Sequence, residues 1–212
     1  GDLSSMVMNT LARFAPEIEI YSIDEAFLNF DGVTTPLEQI GREIRETVLR
    51  LTGIPVSVGF AETKTLAKAA NRIAKKFPQL NNVFIIQTPE QREKVLRWLP
   101  VEDIWGVGRQ YAKTMEYHSI KRAWDLIQKS DSFVKKNFTV VGLRTKKELE
   151  GTRCFTFDEQ PASKKSIATT RSFGTMLTEL ADIREAVVNH AVSCAAKPRR
   201  QKSCAIQVMV FS

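Results

Sequence analysis

At 212 residues, 43% of them hydrophobic and 26% charged, the chain is long enough to bury one large core or two to three small ones, which excludes a disordered polyelectrolyte. No apolar run approaches the roughly 18 residues needed to cross a membrane as a helix. The three cysteines, Cys154, Cys194 and Cys204, have no metal-type spacing and an odd count, so a reducing cytoplasmic location is the simplest reading. The formal charge of +7 is unevenly spread. Residues 1–62 carry 4 basic and 10 acidic side chains, residues 63–150 carry 18 and 9, and residues 151–212 carry 9 and 5. An acidic first third and a basic remainder suit a protein that holds cations in one part and polyanions in another.

In chain order, Leu3, Met6, Leu11 and Phe14 fall near helical period, and Pro16 closes that helix. "EIEIYS" alternates as a strand, and "EAFLNFDGV" resumes strand character up to the Asp31-Gly32 turn. A hairpin joining them puts Asp24 and Glu25 at or near its tip. Leu37, Ile40, Ile44, Val48 and Leu51 mark an amphipathic helix ended by Gly53. "IPVSVGF" is a short strand, residues 63–77 form a second helix, and "NNVFIIQ" is a further strand. This order is that of a ferredoxin-like α/β (α+β) arrangement lacking its first strand, over residues 1–87.

From Thr88-Pro89 the texture changes to short helices, and residues 88–162 read as a separate helical domain. After the polar stretch 158–166 come a strand, "SIATTRSF", a helix over 181–197, and a strand, "SCAIQVMVF". Residues 163–212 are thus expected to form a truncated β-α-β unit. The chain opens without an initiator Met, which suggests a piece of a longer protein.

Three constellations carry chemistry. Asp24 and Glu25 are either two solvated acids at a turn, a salt-bridged pair, or ligands for Mg²⁺, a hard cation that takes carboxylate oxygens. Lys64, Lys68, Arg72 and Lys75 fall within an arc of about 80° on the helix over 63–77, at about 100° per residue. They have no acidic partners at i,i+4. An ordinary solvated face is one reading, and a triphosphate supplying the missing negative charge is the other. The turn Trp105-Gly106-Val107-Gly108 precedes a helix beginning near Arg109 and carrying Lys113. Glycines there let a phosphate approach open backbone N–H groups, as in a helix-hairpin-helix that grips DNA backbone.

The blocks "EIEIYSIDEAFLNFDGV", "GIPVSVGFAETKTLAKAANRIAKKFP", "LPVEDIWGVGRQYAKTMEYHSIKRAWDL" and "TTRSFG" resemble, in order and spacing, the Y-family translesion DNA polymerases. Within that family they resemble the UmuC-type catalytic subunits of bacterial DNA polymerase V. The resemblance implies an error-prone, DNA-directed polymerase of the SOS response to DNA damage. Residues 1–87 would be most of the palm, 88–162 the thumb with its helix-hairpin-helix, and 163–212 the first half of the little finger. Asp24 would be shared by two Mg²⁺ ions and Glu25 would hold the ion that activates the primer 3′-hydroxyl. Lys75 would contact the incoming dNTP, with Lys64 and Lys68 as supporting charge. Gly106, Val107 and Gly108, with Arg109 and Lys113, would grip primer-template DNA, and Arg171 would approach template phosphates.

The partners implied by the family are a UmuD-type accessory protein, a RecA filament and a sliding clamp. The resemblance also implies that a third metal-binding carboxylate, the fingers and the end of the little finger are absent. The chain would then be an internal fragment, inactive alone, with Asp24 and Glu25 hydrated and mostly unpaired. Two other function classes remain from the residues themselves: a non-catalytic DNA-backbone-binding module and a nucleotidyl cyclase. The acidic pair beside a basic helix argues against the first, and the glycine turn argues against the second.

Overall fold

The computed structural model describes residues 2–157, 166–176, 178–200 and 202–210. Residues 1–161 pack as one unit and 162–212 as another. The first unit begins with α1 (Asp2–Leu11), which buries Val7, Met8 and Thr10. The antiparallel pair β1 (Glu17–Ile20) and β2 (Ala26–Asn29) follows, in register from Glu17 opposite Asn29 to Ile20 opposite Ala26. Then come α2 (Leu37–Thr52), β3 (Val58–Phe60), α3 (Lys64–Lys76) and β4 (Val83–Ile85). This is the element order read from the sequence. Gly53 ends α2 in the left-handed region at φ 71°, a conformation without steric penalty for glycine.

β3 and β4 are parallel and carry helices on opposite faces, because successive strand side chains alternate. Val58, Phe60, Val83 and Ile85 meet Ile40, Ile44 and Val48 of α2. Phe84 belongs to the other side, with Leu66, Ala69, Ala70 and Ile73 of α3. Gly59 also faces α3. A Cβ there would stand 2.1 Å from Asn71 N and 2.5 Å from Ala67 O, so strand and helix backbones touch through the missing side chain. Among the described residues the strands form two separate two-stranded sheets rather than one. A cleft of about 1180 Å³ is lined by β2 on one side and β3 on the other.

The helical half consists of α4 (Pro89–Trp98), α5 (Arg109–Tyr117), α6 (Ala123–Ile127) and α7 (Asp131–Leu149). Thr88 and Gln91 form a capping box at the start of α4, and Pro89 occupies the position where its missing N–H costs nothing. α7 is broken at Thr139, whose φ of 65° and ψ of −175° lie where glycine is normally found, at a cost of about 1–3 kcal/mol. No packing boundary falls at 87/88. Val95, Leu96, Leu99, Met115, Leu126, Phe138 and Leu149 share one core with the apolar face of α3.

The second unit corrects an expectation. "SIATTRSF" forms no strand, nor do the described residues of "SCAIQVMVF"; Phe211 and the polar residues 158–165 lie outside the described residues. What folds is α8 (Leu180–Arg200), with segment 167–169 held along it: Lys197 Nζ donates to Ala168 O at 2.7 Å and to Thr169 Oγ1 at 3.0 Å. Ile206, Val208, Met209 and Val210 remain exposed. Among the described residues neither segment has a strand neighbour to accept its backbone hydrogen bonds, and an isolated pair of strands is marginal in water.

Gly59→Ala is expected to lower the thermal unfolding midpoint, through an overpacking cost of about 1–3 kcal/mol. A circular-dichroism melt with an unchanged midpoint would mean that β3 and α3 separate freely.

Candidate active site

The tip of the β1–β2 hairpin spans Tyr21 to Glu25. Tyr21 and Ser22 both donate their N–H to Glu25 O at 3.0 Å, which closes the turn and breaks the strand alternation. Both carboxylates consequently line the same cleft. Asp24 is exposed, with Ser22 Oγ donating to its Oδ1 at 2.7 Å, and Ser4 Oγ on α1 donates to Ile23 O.

Glu25 is half-buried and forms an ion pair with Lys68. This corrects the expectation of two hydrated, unpaired acids. The same correction applies to three of the four cations of the α3 stripe, whose mutual repulsion is relieved by carboxylates from other elements. Lys64 pairs with Glu19 of β1, Lys68 with Glu25 of the tip, and Arg72 with Asp103 at 2.6 Å. Opposite charges at i,i+4 are one source of compensation; tertiary partners are another, and local spacing is blind to them.

The four cations occupy different environments. Lys64 is buried: it also donates to Thr156 O at 2.5 Å and lies 5.2 Å from the Phe27 ring and 4.7 Å from that of Phe157. Lys68 is partly exposed and sits 5.9 Å from the Tyr21 ring. Lys75 is exposed, lines the cleft and makes no ion pair among the described residues.

One side of the cleft is closed by residues 153–157. Arg153 grips Asp31 with both terminal guanidinium nitrogens, Nη2 at 2.7 Å from Oδ1, and donates Nε to Glu62 O at 2.8 Å. The hydrogen bond from Arg153 holds the Asp31 carboxyl below the ordinary carboxylate range. Glu148, fully buried, anchors this segment. Its Oε1 accepts from Cys154 N at 2.7 Å and Phe155 N at 3.1 Å, and its Oε2 accepts from Thr65 N at 3.1 Å, in the first turn of α3. Glu148 and Arg153 were invisible to sequence reasoning, because nothing in "KKELEGTRC" distinguishes them from surface charges.

Before α5 the chain makes a 3₁₀ turn, Val101–Asp103, and then a tight turn in which Val107 N donates to Ile104 O at 3.0 Å. Gly106 has φ 86°, which explains a glycine there. Gly108 is the N-cap of α5 and offers no side-chain acceptor, and a Cβ at this position would meet nothing within 4 Å. The first amides of α5 have no acceptor within the helix, and Arg109 and Gln110, which carry them, are exposed, as is Lys113, with Val107 half-buried. Trp105 joins this turn to the hairpin: its ring lies 5.4 Å from Tyr21, 5.3 Å from Phe27 and 5.5 Å from Phe155. Arg171 is exposed in an irregular segment of the second unit.

For a metal ion, the described residues contain no cluster of three or more His, Cys, Asp or Glu side chains. The pair at the hairpin tip nevertheless fits a hard divalent cation, since its donors are carboxylate oxygens and an ammonium already sits on Glu25 where a cation would.

The fold matches known proteins. An insertion ternary complex of Dbh DNA polymerase superposes with a TM-score of 0.62 at 26% identity, over 74% of this chain and 46% of that one. The architecture is therefore that of part of a Y-family polymerase. Residues 1–72 match the impB/mucB/samB family, and residues 164–212 match that family's C-terminal domain. UmuC of Salmonella typhimurium strain LT2 is 43% identical over 202 residues, 94% of this chain and 48% of UmuC. DNA polymerase IV 1 of Halalkalibacterium halodurans is 26% identical over 181 residues, 82% of this chain and 40% of that protein. The chain belongs to the impB/mucB/samB family, in the UmuC-type branch of the Y-family DNA polymerases. It spans about half the length of the curated relatives it matches.

Glu148→Ala is expected to destabilise the first unit by about 3 kcal/mol or more, because three buried N–H groups lose their acceptor. Glu148→Gln, which keeps one carbonyl oxygen, is expected to lose less. Urea unfolding measures both, and two equally small losses would mean that water replaces the carboxylate.

Proposed function

We propose that this chain is part of an error-prone DNA polymerase for translesion synthesis, and that its cleft is part of the nucleotidyl-transfer site. The observation that carries the reading is the convergence in one cleft of Asp24, Glu25 and the unpaired cation Lys75. A cleft for phosphate alone would need no carboxylates, and a cleft for metal alone would need no unpaired lysine.

In this reading Asp24 and Glu25 would hold Mg²⁺. Bound there, the metal supplies charge neutralisation and lowers the pKa of an attacking hydroxyl. Ser22 Oγ, by donating to Asp24 Oδ1, fixes the direction in which that carboxylate presents its second oxygen. Lys75 would take a phosphate oxygen of the incoming dNTP as a point charge. Lys64 is committed to Glu19 and Thr156 O, so its contribution is to hold β1 and the 153–157 segment against α3. Two clustered carboxylates bind a divalent ion weakly, and the chain by itself is expected to transfer nucleotides poorly or not at all.

The turn at Gly106, Val107 and Gly108 would act as the helix-hairpin-helix grip on DNA backbone. The open amides at the start of α5 donate to a phosphate, and Arg109 and Lys113 add charge without reading sequence. Arg171 would make a further phosphate contact from the second unit.

Fluorescent primer–template DNA titrated from about 50 to 200 mM salt tests this reading, since backbone binders lose most of their affinity over that range. Salt-sensitive binding is expected, and its absence would retire the proposal. Gly108→Asp is expected to weaken binding whatever the sequence. Aspartate is a good N-cap, so the helix itself should gain stability and the loss is not one of folding. With dNTP and Mg²⁺ added, any primer extension is expected to vanish in Asp24→Asn and Glu25→Gln while DNA binding persists. Loss of both activities together would assign the pair a folding role instead.

A further inference from the structure

Lys64 and Lys68 present a comparison within one helix. They are one turn apart on α3, and each pairs with a glutamate of the β1–β2 hairpin. The Lys64–Glu19 pair is closed off, with side-chain exposures of 6% and 14%, a backbone acceptor and two aromatic rings. The Lys68–Glu25 pair stands at the cleft mouth at 25% and 35%, and among the described residues the ammonium has, besides Glu25, only the distant Tyr21 ring. Identical chemistry has been buried in one place and left accessible in the other.

We infer that Lys68 is a resident counter-ion, which neutralises Glu25 until a divalent cation displaces it and which then turns to the phosphates of the nucleotide. The inference rests on the reading of Asp24 and Glu25 as metal ligands. A half-exposed ion pair is a weak contact, so a doubly charged ion at the same oxygen outcompetes a single ammonium. The freed ammonium, on a flexible four-carbon stem, stays on the face of α3 that carries Lys75 seven residues on. Metal binding thereby adds a second positive charge to the side of the cleft that would receive triphosphate. By linkage, triphosphate drawing Lys68 away from Glu25 favours the metal by the same factor. Lys64 is not placed for this exchange, since its side chain is buried and its ammonium is also held by Thr156 O.

The test is binding of Mn²⁺, read from the electron-paramagnetic-resonance signal of the free ion, to the 212-residue chain and its variants. Lys68→Met is expected to bind Mn²⁺ about fivefold tighter than the unaltered chain, the ceiling set by a weak pair. Lys68→Arg should bind as the unaltered chain does. Lys75→Met removes the same charge from the same cleft without touching Glu25, and should change affinity much less. Melts of all variants are compared first, and Lys68→Gln replaces Lys68→Met if the latter does not fold. Equal tightening by Lys68→Met and Lys75→Met would reduce the effect to general charge and overturn the inference, as would an unchanged or weaker affinity in Lys68→Met. If Asp24→Asn and Glu25→Gln leave Mn²⁺ binding untouched, the carboxylate reading itself fails. If those two abolish binding while Lys68→Met does nothing, only the counter-ion role fails.

Discussion

The close approach of β3 to α3 through Gly59 is the constraint on which the first unit depends. With no side chain between them, the strand backbone lies directly on Ala67, Ala70 and Asn71. That contact fixes the rotation of α3 about its own axis. Leu66, Ala69, Ala70 and Ile73 are turned into the core shared with the helical half, and Lys64, Lys68 and Lys75 are turned to the cleft. The basic stripe is therefore a consequence of packing as much as of charge. A helix rotated by one residue, about 100°, would bury lysines and expose the alanines.

A cationic stripe so placed needs negative charge, and the protein supplies it from three separate elements. Glu19, Glu25 and Asp103 each meet one cation, and they belong to β1, the hairpin tip and the turn before α5. The pairs differ in burial, and burial decides what each can do. Removing one partner of a buried pair strands a charge, which makes such a pair a structural fixture. A half-exposed pair contributes little and exchanges readily. The gradient from Lys64 to Lys75 is thus a gradient from scaffold to available charge. Glu148 works by a related principle: a carboxylate without an ion pair is stable in the interior because three backbone donors surround it.

The sequence made the elements of residues 1–87 legible because their signals are local. Period 2 marks β1 and β2, period 3.6 marks α2, and Gly53 stops it. The hairpin tip was legible for the same reason, and with it the nearness of Asp24 to Glu25. The first half of α7 was not, since "DSFVKKNFTVVG" carries β-branched residues and a break at Thr139 that interrupts the helical period. The ion pairs of α3 were missed because their partners lie from 43 to 45 residues away or in another subregion. The strands expected after residue 166 were legible as pattern, yet a pattern becomes a strand only when a neighbour accepts its hydrogen bonds. The boundary expected near residue 87 marked a real change of texture, but texture does not report that α3 packs into the core of the helical half.

Two chemical features must be kept in register for a nucleotidyl-transfer site to work: the carboxylates that hold metal and the grip that holds DNA. In the site proposed above these roles fall to residues 24–25 and 106–108, far apart in sequence, yet Trp105 joins the two segments through space. Its ring is edge-on to Tyr21, which opens the carboxylate turn, to Phe27 on β2 and to Phe155 on the segment that Glu148 anchors. Its indole Nε1 is buried without a hydrogen-bond partner, a cost that phenylalanine would avoid. An indole offers more ring edge than phenylalanine, enough to meet three rings from three elements at once. Aromatic contacts of this kind favour particular orientations, each worth about 0.5–1.5 kcal/mol beyond the area it buries. Three of them on one side chain therefore fix an angle as well as a distance, which is what a glycine turn with no side chains of its own cannot do.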